Sequence, residues 1–88
     1  MTNKAVFLDR DGVINIDHSY VYKVEDFDFM EGIFEFCRHA KKLGYKLVVV
    51  TNQSGIGRGY FSEDDFSNLT HWMKQQFAAN QCEIDAVY

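Results

Sequence analysis

The sequence predicts an α/β fold: a partial, Rossmann-like parallel sheet with flanking helices, in a single unit that spans residues 1–88. Two observations carry this. Short apolar runs, Ala5-Val6-Phe7-Leu8 and Leu47-Val48-Val49-Val50, each stop at polar residues, as strands buried in a parallel sheet do. Between them lies a segment of helical periodicity, so strand, helix and strand make one right-handed βαβ crossover.

Residues 5–9 read as the first strand, buried on both faces. Asp9 and Asp11 stand at its carboxyl end, followed by Gly12, where the backbone can turn sharply. Residues 12–30 read as an irregular segment with a small hairpin, in which Phe27 and Phe29 cover the core, while Tyr20 and Tyr22 either cover it too or line a substrate mouth. Residues 31–43 read as a helix whose apolar stripe is Ile33, Phe36, Cys37, Ala40 and Leu43. Arg38, Lys41 and Lys42 near its end suit the helix dipole, and Gly44 is the expected residue after the cap. Residues 46–50 form the second strand, which places Thr51 beside Asp9 at one edge of the sheet.

Ser62 begins a second helix that runs to about Asn80. Ser62 and Asp65 form its capping box, and Phe66, Leu69, Thr70, Met73 and Phe77 its buried side. The acidic run Glu63-Asp64-Asp65 is then a helix start, not a metal site. Residues 82–88 approach a third strand, and a fold that ends on a rising strand is expected to continue.

Composition narrows the function. A 47% hydrophobic content supports a packed core, and a net charge of −4 argues against a nucleic-acid surface. An acidic protein that handles phosphate must recruit positive charge locally, from a metal, an Arg or backbone N–H groups. Cys37 and Cys82 are far apart and give no disulfide framework, which makes the cytoplasm the default compartment. No apolar run is long enough to span a membrane.

Asp9 and Asp11 are the candidate chemistry. Ligands of open α/β sheets bind at the carboxyl ends of strands. Two carboxylates there can hold Mg²⁺, or divide the roles of nucleophile and general acid/base. An EF-hand also starts with Asp-x-Asp-Gly, but Ile14 and Ile16 stand where its oxygen ligands belong. The second segment reinforces the functional reading: Thr51, Asn52, Gln53 and Ser54, then Gly55-Ile56-Gly57-Arg58-Gly59, make a candidate phosphate cradle. This glycine loop fits neither the dinucleotide nor the P-loop spacing. Asp17, His18, Ser19 and Tyr20 are candidates for lining a substrate mouth.

Phe7-Leu8-Asp9-Arg10-Asp11-Gly12-Val13-Ile14-Asn15 resembles motif I of the haloacid dehalogenase (HAD) superfamily. Val48 to Gly59 resembles motif II of the branch that holds the D-glycero-D-manno-heptose 1,7-bisphosphate 7-phosphatases and the histidinol-phosphate phosphatases. The segment Asp17-His18-Ser19-Tyr20 resembles the substrate loop of the heptose enzymes.

The resemblance implies that Asp9 attacks phosphorus and Asp11 is the acid/base. Mg²⁺ would be held by the Asp9 carboxylate and the Asp11 main-chain carbonyl. Thr51 would bond a phosphoryl oxygen, and Asp17 to Tyr20, Thr51 to Ser54 and Arg58 would face the sugar phosphate. The family's basic motif III, acidic motif IV and structural Zn²⁺ loop would follow Tyr88. The expectation is therefore the N-terminal part of such a phosphatase, cytoplasmic, with little turnover alone and prone to self-association through an exposed sheet edge. Its phosphorylated sugar would feed lipopolysaccharide synthesis. The alternatives are a histidinol-phosphate phosphatase and a non-catalytic phosphate-binding or interaction module.

Overall fold

The computed structural model describes residues 4–18, 21–51, 58–59 and 61–88. Strand β1 (Lys4–Asp9) leads into an irregular segment with one 3-10 turn (Val24–Asp26). Helix α1 (Ile33–Lys42), strand β2 (Tyr45–Val50), helix α2 (Glu63–Ala79) and strand β3 (Ala86–Val87) follow. The strands form one parallel sheet in the order β1-β2-β3. Register runs from Lys4 opposite Tyr45 to Asp9 opposite Val50, the βαβ unit that the sequence predicts.

Among the described residues, helices α1 and α2 bury their apolar sides in one cluster. Leu8, Leu47 and Val49 of the sheet meet Ile33, Cys37 and Ala40 of α1 and Leu69, Met73 and Phe77 of α2. Side chains alternate along a strand, so the other face carries Phe7, Val48 and Val50. On it Phe7 is 68% exposed and Val50 38% exposed. The expectation that β1 is buried on both faces is therefore corrected. An unbroken apolar run does not reveal whether one face or two will be covered.

The stripe of α1 is corrected as well. Ile33, Cys37 and Ala40 are buried, whereas Phe36 and Leu43 are exposed at 52% and 57%. The helix is turned so that Phe34 faces inward instead, with its ring 5.0 Å from Phe77 and 4.7 Å from Phe29. Gly44, with φ 89°, follows the last turn as expected, its N–H donating to the Lys41 carbonyl at 3.0 Å. Helix α2 starts on the predicted box: Asp65 N–H donates to Ser62 Oγ at 3.0 Å, and Ser62 N–H to the Asp65 carboxylate at 3.1 Å.

The segment between β1 and α1 folds back on itself. Ile16 N–H donates to the Asp28 carbonyl and Met30 N–H to the Ile14 carbonyl, both at 2.8 Å, with one antiparallel bridge between Asn15 and Phe29. This is the small hairpin expected there. Phe27 is buried, and its ring lies 5.6 Å from that of Trp72 on α2.

β3 is tied to β2 by Asp85, whose Oδ2 accepts from Leu47 N–H at 2.7 Å and from Lys41 Nζ at 2.9 Å. Burial pushes the Asp85 carboxyl up. The Leu47 hydrogen bond, the Lys41 hydrogen bond and charge, and the Lys46 charge outweigh it and hold the carboxyl below its ordinary 3.8. A depressed folded-state value contributes stability above pH 3.8 that is lost as pH falls through the lower folded value. Urea melts across the acid range should therefore show wild type losing stability below about pH 4. Asp85→Asn should be less stable at neutral pH and flatter across that range. Parallel acid limbs in the two proteins would contradict this.

Candidate functional site

The site forms where β1 ends. Arg10 N–H donates to the Val50 carbonyl at 3.0 Å, carrying the β1–β2 pairing one residue past Asp9. The chain then winds into a tight turn: Ile14 and Asn15 N–H both donate to the Arg10 carbonyl, at 2.9 and 3.1 Å. Gly12, at φ 97°, makes that turn possible, because a side chain there would be strained. The turn brings Asn15 back beneath Asp11.

The two carboxylates are treated differently. Asp9 is exposed, and among the described residues its carboxylate makes no hydrogen bond or ion pair. Asp11 is held. Its Oδ1 accepts from Asn15 Nδ2 at 2.9 Å and from Arg10 Nη2 at 3.2 Å, and its Oδ2 accepts from Arg10 Nη2 at 3.0 Å. Oδ1 thus takes two donors, and Oδ2 is the freer oxygen. The Asp11 main-chain carbonyl accepts no hydrogen bond among the described residues. A free carboxylate on Asp9 and an open carbonyl on Asp11 are hard oxygen donors that fit Mg²⁺, which is commonly held by one or two carboxylates with phosphate and water completing its shell. Among the described residues no group of three or more His, Cys, Asp or Glu could hold a metal ion.

Thr51 leaves β2 directly beside this turn, as expected. Its N–H and its Oγ1 both donate to the Tyr88 carbonyl, each at 2.8 Å. The hydroxyl proton is therefore engaged, and bonding a phosphoryl oxygen requires the hydroxyl to rotate away from Tyr88. His18 Nε2 lies 2.8 Å from Asp28 Oδ2, with both side chains exposed. Asp17 and Arg58 are exposed. Ser19, Tyr20, Asn52, Gln53 and Ser54 lie outside the described residues.

Three features carry no sequence expectation: the Arg10 and Asn15 grip on Asp11, the Asp28 partner of His18, and the Tyr88 acceptor of Thr51. The first has a sequence signal, since Asn15 stands four residues beyond Asp11 and an Arg separates two carboxylates. The cysteines are not nucleophiles. Both are free and fully buried, and burial, with Cys82 nearby, pushes the Cys37 thiol up to about 11.

No family model matches the chain. It is 60% identical over 88 residues to the D-glycero-alpha-D-manno-heptose-1,7-bisphosphate 7-phosphatase of Burkholderia mallei, covering 100% of this chain and 47% of that protein. It is 54% identical over 86 residues to the D-glycero-beta-D-manno-heptose-1,7-bisphosphate 7-phosphatase of Haemophilus influenzae, covering 98% and 47%. Among solved structures, the D,D-heptose 1,7-bisphosphate phosphatase of B. bronchiseptica, complexed with magnesium and phosphate, superposes with a TM-score of 0.88 at 28% identity. That match covers 97% of this chain and 48% of the other. The enzyme from Burkholderia thailandensis gives 0.74 at 37% identity, covering 98% and 52%. The chain spans about half the length of the curated relatives it matches. Along its own whole length it is a relative of the HAD-like D-glycero-D-manno-heptose 1,7-bisphosphate 7-phosphatases.

Proposed function

We propose that the chain is the N-terminal part of a Mg²⁺-dependent phosphatase that removes a phosphate from D,D-heptose 1,7-bisphosphate through an aspartyl-phosphate. The observation that carries this is the division between the two carboxylates: an exposed, unengaged Asp9 and an Asp11 held by Arg10 and Asn15. A nucleophile needs a carboxylate oxygen free to reach phosphorus. A general acid/base needs a fixed position and one oxygen able to exchange a proton.

An oxygen of Asp9 bonds to phosphorus as the bond from phosphorus to the sugar oxygen breaks. Asp11 Oδ2 gives its proton to that leaving oxygen. Asp11 Oδ2 then takes a proton from the water that attacks phosphorus, and the bond from the Asp9 oxygen to phosphorus breaks, which releases phosphate and restores the Asp9 carboxylate and the protonated Asp11. The Asp9 carboxylate and the Asp11 main-chain carbonyl would hold Mg²⁺, which would supply positive charge to offset the negative charge of carboxylate and phosphate. Thr51 orients a phosphoryl oxygen, and Asn52 lies next to it in the chain. We assign Asp17 to Tyr20, Gln53, Ser54 and Arg58 to binding of the sugar phosphate. We place this activity in the cytoplasm, feeding lipopolysaccharide synthesis; among the described residues no helix is long and apolar enough to cross a membrane. The open sheet face around Phe7 and Val50 supports self-association.

The test is phosphate release with Mg²⁺ and with chelator, from D,D-heptose 1,7-bisphosphate and from histidinol phosphate. It compares the 88-residue chain with the same chain joined to the remaining half of the Burkholderia mallei relative. Metal-dependent release from the heptose by the joined chain, with little from the short one, is the expected result. Preference for histidinol phosphate would move the assignment to that activity. Phosphate binding without release by the joined chain would make this a non-catalytic module.

A further inference from the structure

We propose that Arg10 is a positioning residue for proton transfer: its buried guanidinium fixes Asp11 so that Oδ2 meets the leaving oxygen of a substrate whose alkoxide needs a proton. This rests on the phosphatase reading above.

Arg10 is only 3% exposed, yet it is a cation, and burying a cation is costly unless a partner requires it. Among the described residues only one of its guanidinium nitrogens is engaged. Nη2 donates to both oxygens of Asp11 and to the Val21 carbonyl at 2.9 Å, while Nε and Nη1 are buried with no hydrogen-bond partner among the described residues. A neutral donor would serve the Val21 carbonyl. Among the described acceptors of Arg10, the carboxylate of Asp11 is the one that calls for a positive charge. The Phe27 ring, 5.9 Å from Arg10 Cζ, covers the guanidinium on one side.

Asn15 completes the arrangement. It is fully buried, and its Nδ2 donates to Asp11 Oδ1 and to the Ile16 carbonyl at 3.1 Å. With Oδ1 gripped by Arg10 and Asn15 and Oδ2 by Arg10 alone, rotation of the Asp11 carboxyl is opposed, and Oδ2, with the fewer donors, is left to carry the proton. Two buried side chains converging on one partly exposed carboxylate are more than the turn itself needs. Main-chain bonds from Gly12, Ile14 and Asn15 already close it.

Leaving-group dependence separates this role from a structural one. A sugar alkoxide depends on proton donation, whereas p-nitrophenolate departs without it. Arg10→Met and Arg10→Lys are compared with wild type in the chain joined to the Burkholderia mallei half, on D,D-heptose 1,7-bisphosphate and p-nitrophenyl phosphate. The ratio of heptose to p-nitrophenyl turnover should fall about 100-fold in Arg10→Met, the scale of general acid catalysis. Arg10→Lys, which keeps a cationic donor, should recover part of it; should Arg10→Met not fold, the fall in the ratio in Arg10→Lys carries the test. An unchanged ratio in the folded variants, whatever the loss in rate, would overturn the proposal and leave Arg10 a packing residue. Failure of a folded wild-type protein to hydrolyse either substrate would instead overturn the phosphatase reading.

Discussion

In the chain joined to the Burkholderia mallei half, Asp9→Asn is expected to lower phosphate release by about a thousand-fold or more, the scale seen when a covalent nucleophile is removed. The amide has nearly the shape of the carboxylate but cannot bond to phosphorus under these conditions. The structure makes this a clean substitution. The Asp9 side chain is exposed and makes no hydrogen bond or ion pair among the described residues, so its replacement breaks no contact that holds the fold. Stability should stay within about 0.5 kcal/mol of wild type. Rate and thermal melts measured on the same samples check both statements. A rate loss that followed a stability loss would mean that Asp9 acts by holding the turn. Asp11→Asn does not offer the same separation, because it leaves the buried Arg10 without its charged partner.

Phe77→Ala should remove a large part of the chain's stability. Phe77 is fully buried on α2, its ring 5.0 Å from Phe34 and 6.0 Å from Phe29. Removing a ring from such a place costs about 3–5 kcal/mol, from lost burial and from the cavity left behind. A domain of this size has a total stability of only about 4–13 kcal/mol. The melting midpoint should drop by roughly 15–30 °C. Trp72, whose ring lies 5.6 Å from Phe27 and 5.7 Å from Phe29, gives a fluorescence signal for the same cluster. A shift of only a few degrees would show that α2 is loosely docked.

The elements were legible where the sequence carries local physics. Ser62 and Asp65 announce a helix start because their side chains satisfy backbone groups three residues away, and the structure has both bonds. The two apolar runs fix the parallel pair because a βαβ unit has one favoured hand. The exposure of Phe7, Phe36 and Leu43 is not legible in the sequence, for a different reason. Their exposure depends on what covers the sheet and on a small rotation of α1, and neither is set by the residues beside them. The candidate site divides in the same way. Asp9, Asp11 and Thr51 could be placed at one sheet edge from strand ends alone. The grip of Arg10 and Asn15 on Asp11 needs the turn that Gly12 permits, which brings a residue four positions on back to the carboxylate. Spacing hints at that contact, and only the fold makes it.

The most direct test of the account is chemical trapping of Asp9. The joined chain, turning over D,D-heptose 1,7-bisphosphate with Mg²⁺, is quenched with borohydride, which reduces an aspartyl-phosphate to homoserine, and its peptides are mapped by mass. The account predicts homoserine at position 9, absent without substrate and absent in Asp9→Asn. Full turnover with Asp9 unmodified, or with the modification at Asp11, would contradict it.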